Sequence, residues 1–254
     1  MTKKRLLTLG AAAVIAACAF ASSALALQGG TPDGTQHPYV GAVVVFFPDG
    51  SNQLCSGFLV DSTTFVTAAH CFLDQNGNLT TPAQVLVDTS AAFGQNIDPA
   101  VAYAVDPAFQ EKPGGLSSSD LNDVAVVKLS APITLSEYGQ LPGVGYDSSL
   151  PNNQKIQNVG YGIPNAGFKQ VVTDKIIPGG GATGANFLKI SGGDACFGDS
   201  GGPNLQAGTN IVLAINSYGP SASCNAVSYS QRLDTQQVHD FVTGGYVQYL
   251  TPLN

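Results

Sequence analysis

Short apolar runs recur along the chain. Val40 to Phe47, Gly57 to Val60, Phe65 to Ala68, Gln84 to Val87, Val101 to Val105 and Val124 to Leu129 are rich in Val, Ala and Phe. Pro48-Asp49-Gly50, Asn76-Gly77, Asp98-Pro99 and Pro113-Gly114-Gly115 separate them. Branched and aromatic residues between Gly/Pro/Asn/Asp clusters predict strands. A second series follows at Ile156 to Tyr161, Phe168 to Ile177, Phe187 to Ile190, Ile211 to Tyr218 and Val227 to Leu233. Helical spacing is rare. Its best instance is Thr235 to Val242, where Val238, Phe241 and Val242 share a face. Evenly spaced strands predict a sandwich or barrel. The loop-like stretch from Pro142 to Asn153 splits them into two β units of similar size.

The first 26 residues have a different character. Lys3, Lys4 and Arg5 precede an apolar stretch from Leu6 to Phe20, and Ala24-Leu25-Ala26 supplies small residues for cleavage. This is the three-part pattern of a secretory signal peptide, too short for a membrane span. It predicts a signal peptide over residues 1–26, a mature chain over 27–254, and a secreted product. Ile15-Ala16-Ala17-Cys18 offers an alternative, because it resembles the lipobox at which bacterial lipoproteins are cut and acylated, here on Cys18.

Composition narrows the classes. Hydrophobic residues make up 44% and charged residues 11%, which argues against global disorder. A net charge of −7 argues against a nucleic-acid binder. Removing the signal removes Cys18 and leaves Cys55, Cys71, Cys196 and Cys224. An even count in an exported chain reads as two disulfides, with three possible connectivities. No C-x-x-C pair points to zinc, and no cofactor or metal is expected.

Three segments carry chemistry: Thr67-Ala68-Ala69-His70-Cys71, Asn122-Asp123-Val124, and Gly198-Asp199-Ser200-Gly201-Gly202-Pro203. A serine hydroxyl is a poor nucleophile at neutral pH. It needs a base, and the base needs a carboxylate to fix its tautomer. Glycines around Ser200 let backbone N–H groups approach a developing oxyanion.

In this order the segments resemble the trypsin/chymotrypsin family of serine proteases, over essentially all of Leu27 to Val242. The resemblance implies two six-stranded antiparallel β-barrels, about 27–140 and 141–245, with a C-terminal helix and the active site in the cleft between them. It implies His70 as general base, Asp123 as its orienter, Ser200 as nucleophile, and the N–H groups of Gly198 and Ser200 as oxyanion hole. It pairs Cys55 with Cys71 and Cys196 with Cys224. Ser217-Tyr218-Gly219 matches the strand that pairs with the substrate backbone, with Tyr218 where the family usually has Trp. The family's mature start corresponds to Leu27-Gln28-Gly29-Gly30, whose freed α-amino group would pair with Asp199. Gln28 departs from the family's apolar second residue. Asp194 stands where an acid selects Arg or Lys at P1, while Val227 stands where trypsin-like members have Gly. The resemblance therefore implies basic P1, with small or aliphatic P1 as the alternative if Val227 narrows the pocket.

The expected partners are polypeptide substrates and protein inhibitors. No nucleic acid is expected, nor a membrane unless Cys18 is lipidated, and the chain is expected to be a monomer. Two rivals bear on the same residues. Gly198-Asp199-Ser200-Gly201-Gly202 also satisfies the nucleophile elbow of α/β-hydrolases, but Pro203 disfavours the helix that must follow. A non-catalytic binding or adhesin relative would usually have lost a triad residue.

Overall fold

The computed structural model describes residues 27, 29–109, 121–178, 181–192, 195–220, 224 and 226–253. The expected signal peptide, Cys18, Gln28 and Asp194 lie outside the described residues.

The first barrel is built from β2 (Val40–Phe46), β3 (Asn52–Leu59), β4 (Thr64–Thr67), β5 (Gln84–Asp88), β6 (Asp98–Val105) and β7 (Ala125–Leu129). All neighbours are antiparallel, and β6 pairs with β7 to close the sheet. The second uses β8 (Lys155–Gly160), β9 (Gln170–Ile177), β10 (Phe187–Ile190), β11 (Pro203–Gln206), β12 (Val212–Tyr218) and β13 (Ser228–Arg232), closed by β8 against β9. Closure leaves no long edge among the six strands of either sheet. Two-residue strands strap the outside. β1 (Thr31–Pro32) joins β9 of the second barrel, and β14 (Thr251–Pro252) joins β6 of the first. Each end of the described chain is thereby tied to the barrel farther from it in sequence.

The apolar runs become the core for a simple reason. β2 lies between β3 and β5, and six of its seven residues are buried. The largest apolar cluster joins the two units: Val43, Phe58, Phe65 and Val126 of the first pack in one body with Val159, Tyr161, Leu205 and Ile215 of the second. A smaller cluster, Ile156, Leu188, Ile190, Leu213 and Ala214, fills the second barrel.

Two elements depart from the expected pattern. Pro203–Gln206, for which no strand was expected, forms β11, with Pro203 at its first position, where a missing N–H costs least. A short helix, α1 (Gly181–Asn186), stands between β9 and β10, where the sequence suggested no element. The expected C-terminal helix is present as α2 (Gln236–Val242), with Val238, Phe241 and Val242 buried.

Polar bonds sew the barrels together beside the cleft. Ser56 on β3 donates its backbone N–H to the Ser200 carbonyl at 2.8 Å. Its hydroxyl donates to the Gly198 carbonyl at 2.8 Å and accepts the Tyr161 N–H at 2.9 Å. The loop carrying Ser200 is thus held by the opposite barrel.

Candidate active site

His70 sits in a 3-10 turn, Ala69–Phe72, where the chain leaves β4. The whole turn is buried. Cys71, the next residue, is bonded to Cys55 on β3, with Cα atoms 6.4 Å apart. The disulfide pins the turn to the barrel wall and limits where the imidazole can go.

Asp123 stands just before β7 and is fully buried. One carboxylate oxygen accepts the His70 backbone N–H at 2.9 Å, and the other lies 2.8 Å from His70 Nδ1. Backbone and ring are gripped at once, which fixes the orientation of the ring as well as its position. Ser217 adds a hydroxyl donor to Oδ2 at 2.6 Å, and the Asp123 N–H donates to Gln231 Oε1 at 3.2 Å. Burial opposes the charge on Asp123, but His70 and these donors outweigh it and hold the carboxyl below its ordinary range.

Ser200 follows a sharp turn. The Asp199 N–H donates to the Cys196 carbonyl, and the Gly202 N–H donates to the Asp199 carbonyl, both at 2.9 Å. Gly198 has φ +99°, and a Cβ there would lie 2.8 Å from Gly162 Cα. Only glycine fits that conformation and that approach together. Cys196 is bonded to Cys224, with Cα atoms 5.3 Å apart, which closes the loop against the segment beyond β12.

Asp199 is fully buried beside the serine. Its carboxylate accepts the Gly162 N–H at 2.8 Å and the Cys196 N–H at 3.0 Å. It belongs to no ion pair among the described residues. Burial pushes its carboxyl up to about 7 despite those two donors. Gly160 and Gly162 leave it room, since a Cβ on either would collide with the carboxylate. Neither was singled out from the sequence, where Gly160 fell inside the expected strand Ile156 to Tyr161. Leu27, its expected partner by way of a free amine, is fully buried, and its carbonyl accepts the Gly30 N–H at 2.6 Å.

A cavity of about 390 Å³ opens beside these groups, lined in part by His70, Cys196, Ser200, Ser217, Tyr218 and Gly219. Tyr218 stacks on Tyr229 with ring centroids 4.7 Å apart, and Phe187 meets Tyr218 edge-on. Val227 is half-buried beside the cavity and is not among its lining residues. Phe197, unremarked in the sequence reading, lines the mouth and is 63% exposed.

Among the described residues, Cys55, His70 and Cys71 form the one group close enough to share a metal ion. Its two sulfurs are joined to each other, so they offer no thiolate. The hydrolase-elbow alternative fails here, because a strand and no helix follows Ser200.

The family model described as Trypsin matches residues 28–241. The chain belongs to the trypsin family. It is a serine-type endopeptidase, and polypeptides are its substrates. A trypsin from Phaedon cochleariae is 28% identical over 202 residues, covering 70% of this chain and 74% of the relative. Chymotrypsin-C from Mus musculus is 30% identical over 199 residues, covering 70% and 72%. In fold the chain is similar to HL collagenase, with TM-score 0.66 at 21% identity over 82% of this chain and 94% of that one. Members of this trypsin-like family are typically exported. No described helix of this one is long and apolar enough to cross a membrane.

Proposed function

We propose that Ser200, His70 and Asp123 act as the catalytic triad of this peptidase. The observation that carries the reading is the double grip of Asp123 on His70, at 2.9 Å to the backbone and 2.8 Å to Nδ1. With Nδ1 committed as a donor to the carboxylate, Nε2 is the nitrogen left to accept a proton. His70 and Ser200 both line the cavity beside them.

In this scheme Nε2 takes the Ser200 hydroxyl proton as Oγ attacks the peptide carbonyl carbon. The carbonyl π pair moves to oxygen, and the N–H groups of Gly198 and Ser200 receive that oxyanion. The pair returns, the C–N bond breaks, and the proton on Nε2 passes to the leaving amine. Water, deprotonated by the same nitrogen, then hydrolyses the acyl-serine. Asp123 stays ionised throughout and stabilises the imidazolium, in keeping with its lowered pKa.

For P1 we favour Arg or Lys, which needs the Asp194 carboxylate at the pocket floor. Small or aliphatic P1 is the second reading. It would need Val227, half-buried and not among the residues lining the cavity, to narrow the P1 pocket. Residues 1–26 are read as a signal peptide and the product as secreted. Its removal would free the Leu27 α-amino group to pair with Asp199, whose buried carboxylate, in no ion pair among the described residues, supports this reading. Lipidation at Cys18 would leave that amine uncreated until a second cut.

The experiment is labelling with a peptidyl phosphonate followed by mass mapping, with Ser200→Ala as control. An adduct on Ser200 and cleavage of a peptide library that depends on it support the reading. Intact substrate with both proteins would sink it in favour of a binding module. N-terminal sequencing of exported protein tests the rest, because a start well away from Leu27 defeats the proposed activation.

A further inference from the structure

We propose that Asn216 is a positioning residue for the oxyanion, acting through the peptide bond between Asp199 and Ser200. The inference rests on the reading of Ser200 as nucleophile and deepens it. Asn216 lies on β12 and is 4% exposed. Its Nδ2 donates to the main-chain carbonyl of Asp199 at 3.1 Å and to Asn158 Oδ1 at 2.9 Å. The Asp199 carbonyl also accepts the Gly202 N–H at 2.9 Å.

That carbonyl and the Ser200 N–H are the two ends of one rigid plane, and they point in opposite directions. Whatever holds the carbonyl therefore aims the N–H. Two donors on the oxygen also draw electron density toward it, which makes the N–H across the same amide a stronger donor. This N–H is the one proposed to receive the oxyanion. Asn216 reaches it without touching substrate.

The side chain is held so that it cannot turn over. Asn216 Oδ1 accepts Asn204 Nδ2 at 2.9 Å. A reversed amide would set oxygen against the Asp199 carbonyl and NH2 against NH2 of Asn204. Asn204 is anchored in turn by donating to Ser230 Oγ at 3.0 Å. Asn158, Asn204, Asn216 and Ser230 occupy the four adjacent strands β8, β11, β12 and β13, all buried. Branched apolar residues would fill such a row at lower cost, because each buried amide must be fully bonded to break even. The bonds of this row end at the peptide that precedes the nucleophile. The Asn216 backbone is sewn to the same loop, donating to the Gly202 carbonyl at 2.9 Å and accepting the Gly201 N–H at 2.8 Å.

The test compares wild type, Asn216→Leu and Asn204→Val in kcat, KM and inhibition by a peptide aldehyde, whose hemiacetal oxyanion occupies the same place. Removing an oxyanion donor outright costs about 10²–10³ in kcat, so misaiming one is expected to cost about 10-fold to 30-fold. For Asn216→Leu we expect that loss in kcat, KM within about 2-fold of wild type, and aldehyde affinity weakened by the same factor as kcat. Asn204→Val leaves the Asp199 bond in place and removes the shortest bond to Asn216 Oδ1, which loosens the side chain, so it should lose about 3-fold in the same two quantities. Asn204→Val alone decides if Asn216→Leu does not fold. Unchanged kcat in a folded variant overturns the inference, as does a loss that appears in KM and not in aldehyde binding. A wild type with no Ser200-dependent turnover overturns the triad reading, and this inference falls with it.

Discussion

Ser217 donates a 2.6 Å hydrogen bond to Asp123 Oδ2, the same oxygen that lies 2.8 Å from His70 Nδ1. Ser217 belongs to the second barrel and Asp123 and His70 to the first, so the bond ties the acid to the far side of the cleft. A hydroxyl bonded to a buried carboxylate is worth about 1.5–3 kcal/mol. Ser217→Ala should therefore destabilise the protein by about that much and raise the Asp123 carboxyl from its lowered position. We expect kcat/KM to fall about tenfold, measured on a peptide amide at saturating and limiting substrate.

Asp123→Asn tests the grip itself. The amide can still bond to His70, but it favours the tautomer with hydrogen on Nε2, the wrong nitrogen for a base. The expected loss is about 10⁴ in kcat with little change in KM. Stability should fall less than in Asp123→Ala, which leaves the His70 N–H with no acceptor. A loss below about 10-fold would mean that His70 is not the base.

The buried Asp199 carboxyl predicts opposite pH behaviour for two forms of the chain. With residues still joined ahead of Leu27, its folded value of about 7 exceeds the ordinary carboxyl value. The folded state then binds the proton more tightly than the unfolded one. Its stabilisation is complete at pH 4 and is lost as pH rises through 7. A chain that begins at Leu27 would present a cation to the same carboxylate and hold it ionised across that range. Urea midpoints of Ser200→Ala protein should fall from pH 5 to pH 8 in the uncut form relative to the cut one. The difference between the forms isolates Asp199, since other buried acids titrate in both. Equal slopes would argue against the Leu27 pair.

Asp147 is one of those other acids. Arg232 Nε lies 2.8 Å from Asp234 Oδ1 and 3.6 Å from Asp147 Oδ2. The longer contact is no hydrogen bond, and burial with the Asp234 charge alongside pushes Asp147 up to about 8. Arg232→Met would leave two buried carboxyls facing each other. Breaking a buried pair on one side costs about 3–5 kcal/mol. We expect Tm to drop by about 10 °C at pH 8 and by less at pH 5, where protonation relieves the repulsion.

The strands were legible because Val and Phe runs such as Val40–Phe46 and Ala125–Leu129 are buried almost throughout. The reacting residues were legible because their neighbours are unusual: alanines before His70 and glycines around Ser200. β11 was not, because Pro203-Asn204 reads as a turn and its burial comes from β8 and β12 on either side. The same reason hid the buried amides. A lone asparagine in an apolar strand, like Asn216 in Val212–Tyr218, reads as a flaw in the pattern. Its meaning lies in Asn158 and Asn204, which are far away in sequence and adjacent in space. Gly160 and Gly162 were obscure likewise, since the carboxylate they accommodate arrives from 37 residues downstream of Gly162.

The serine loop hangs from Ser56 of the first barrel and from Asn216 of the second. On the proposed reading the chain must be made through β12 before any bond can be cut. The histidine and its acid are complete once β7 is in place, yet the serine comes some seventy residues later, and its aim depends on β12. Each shorter length that emerges during synthesis is chemically silent. Timing of this kind would protect the machinery that makes the protein while the chain is still growing.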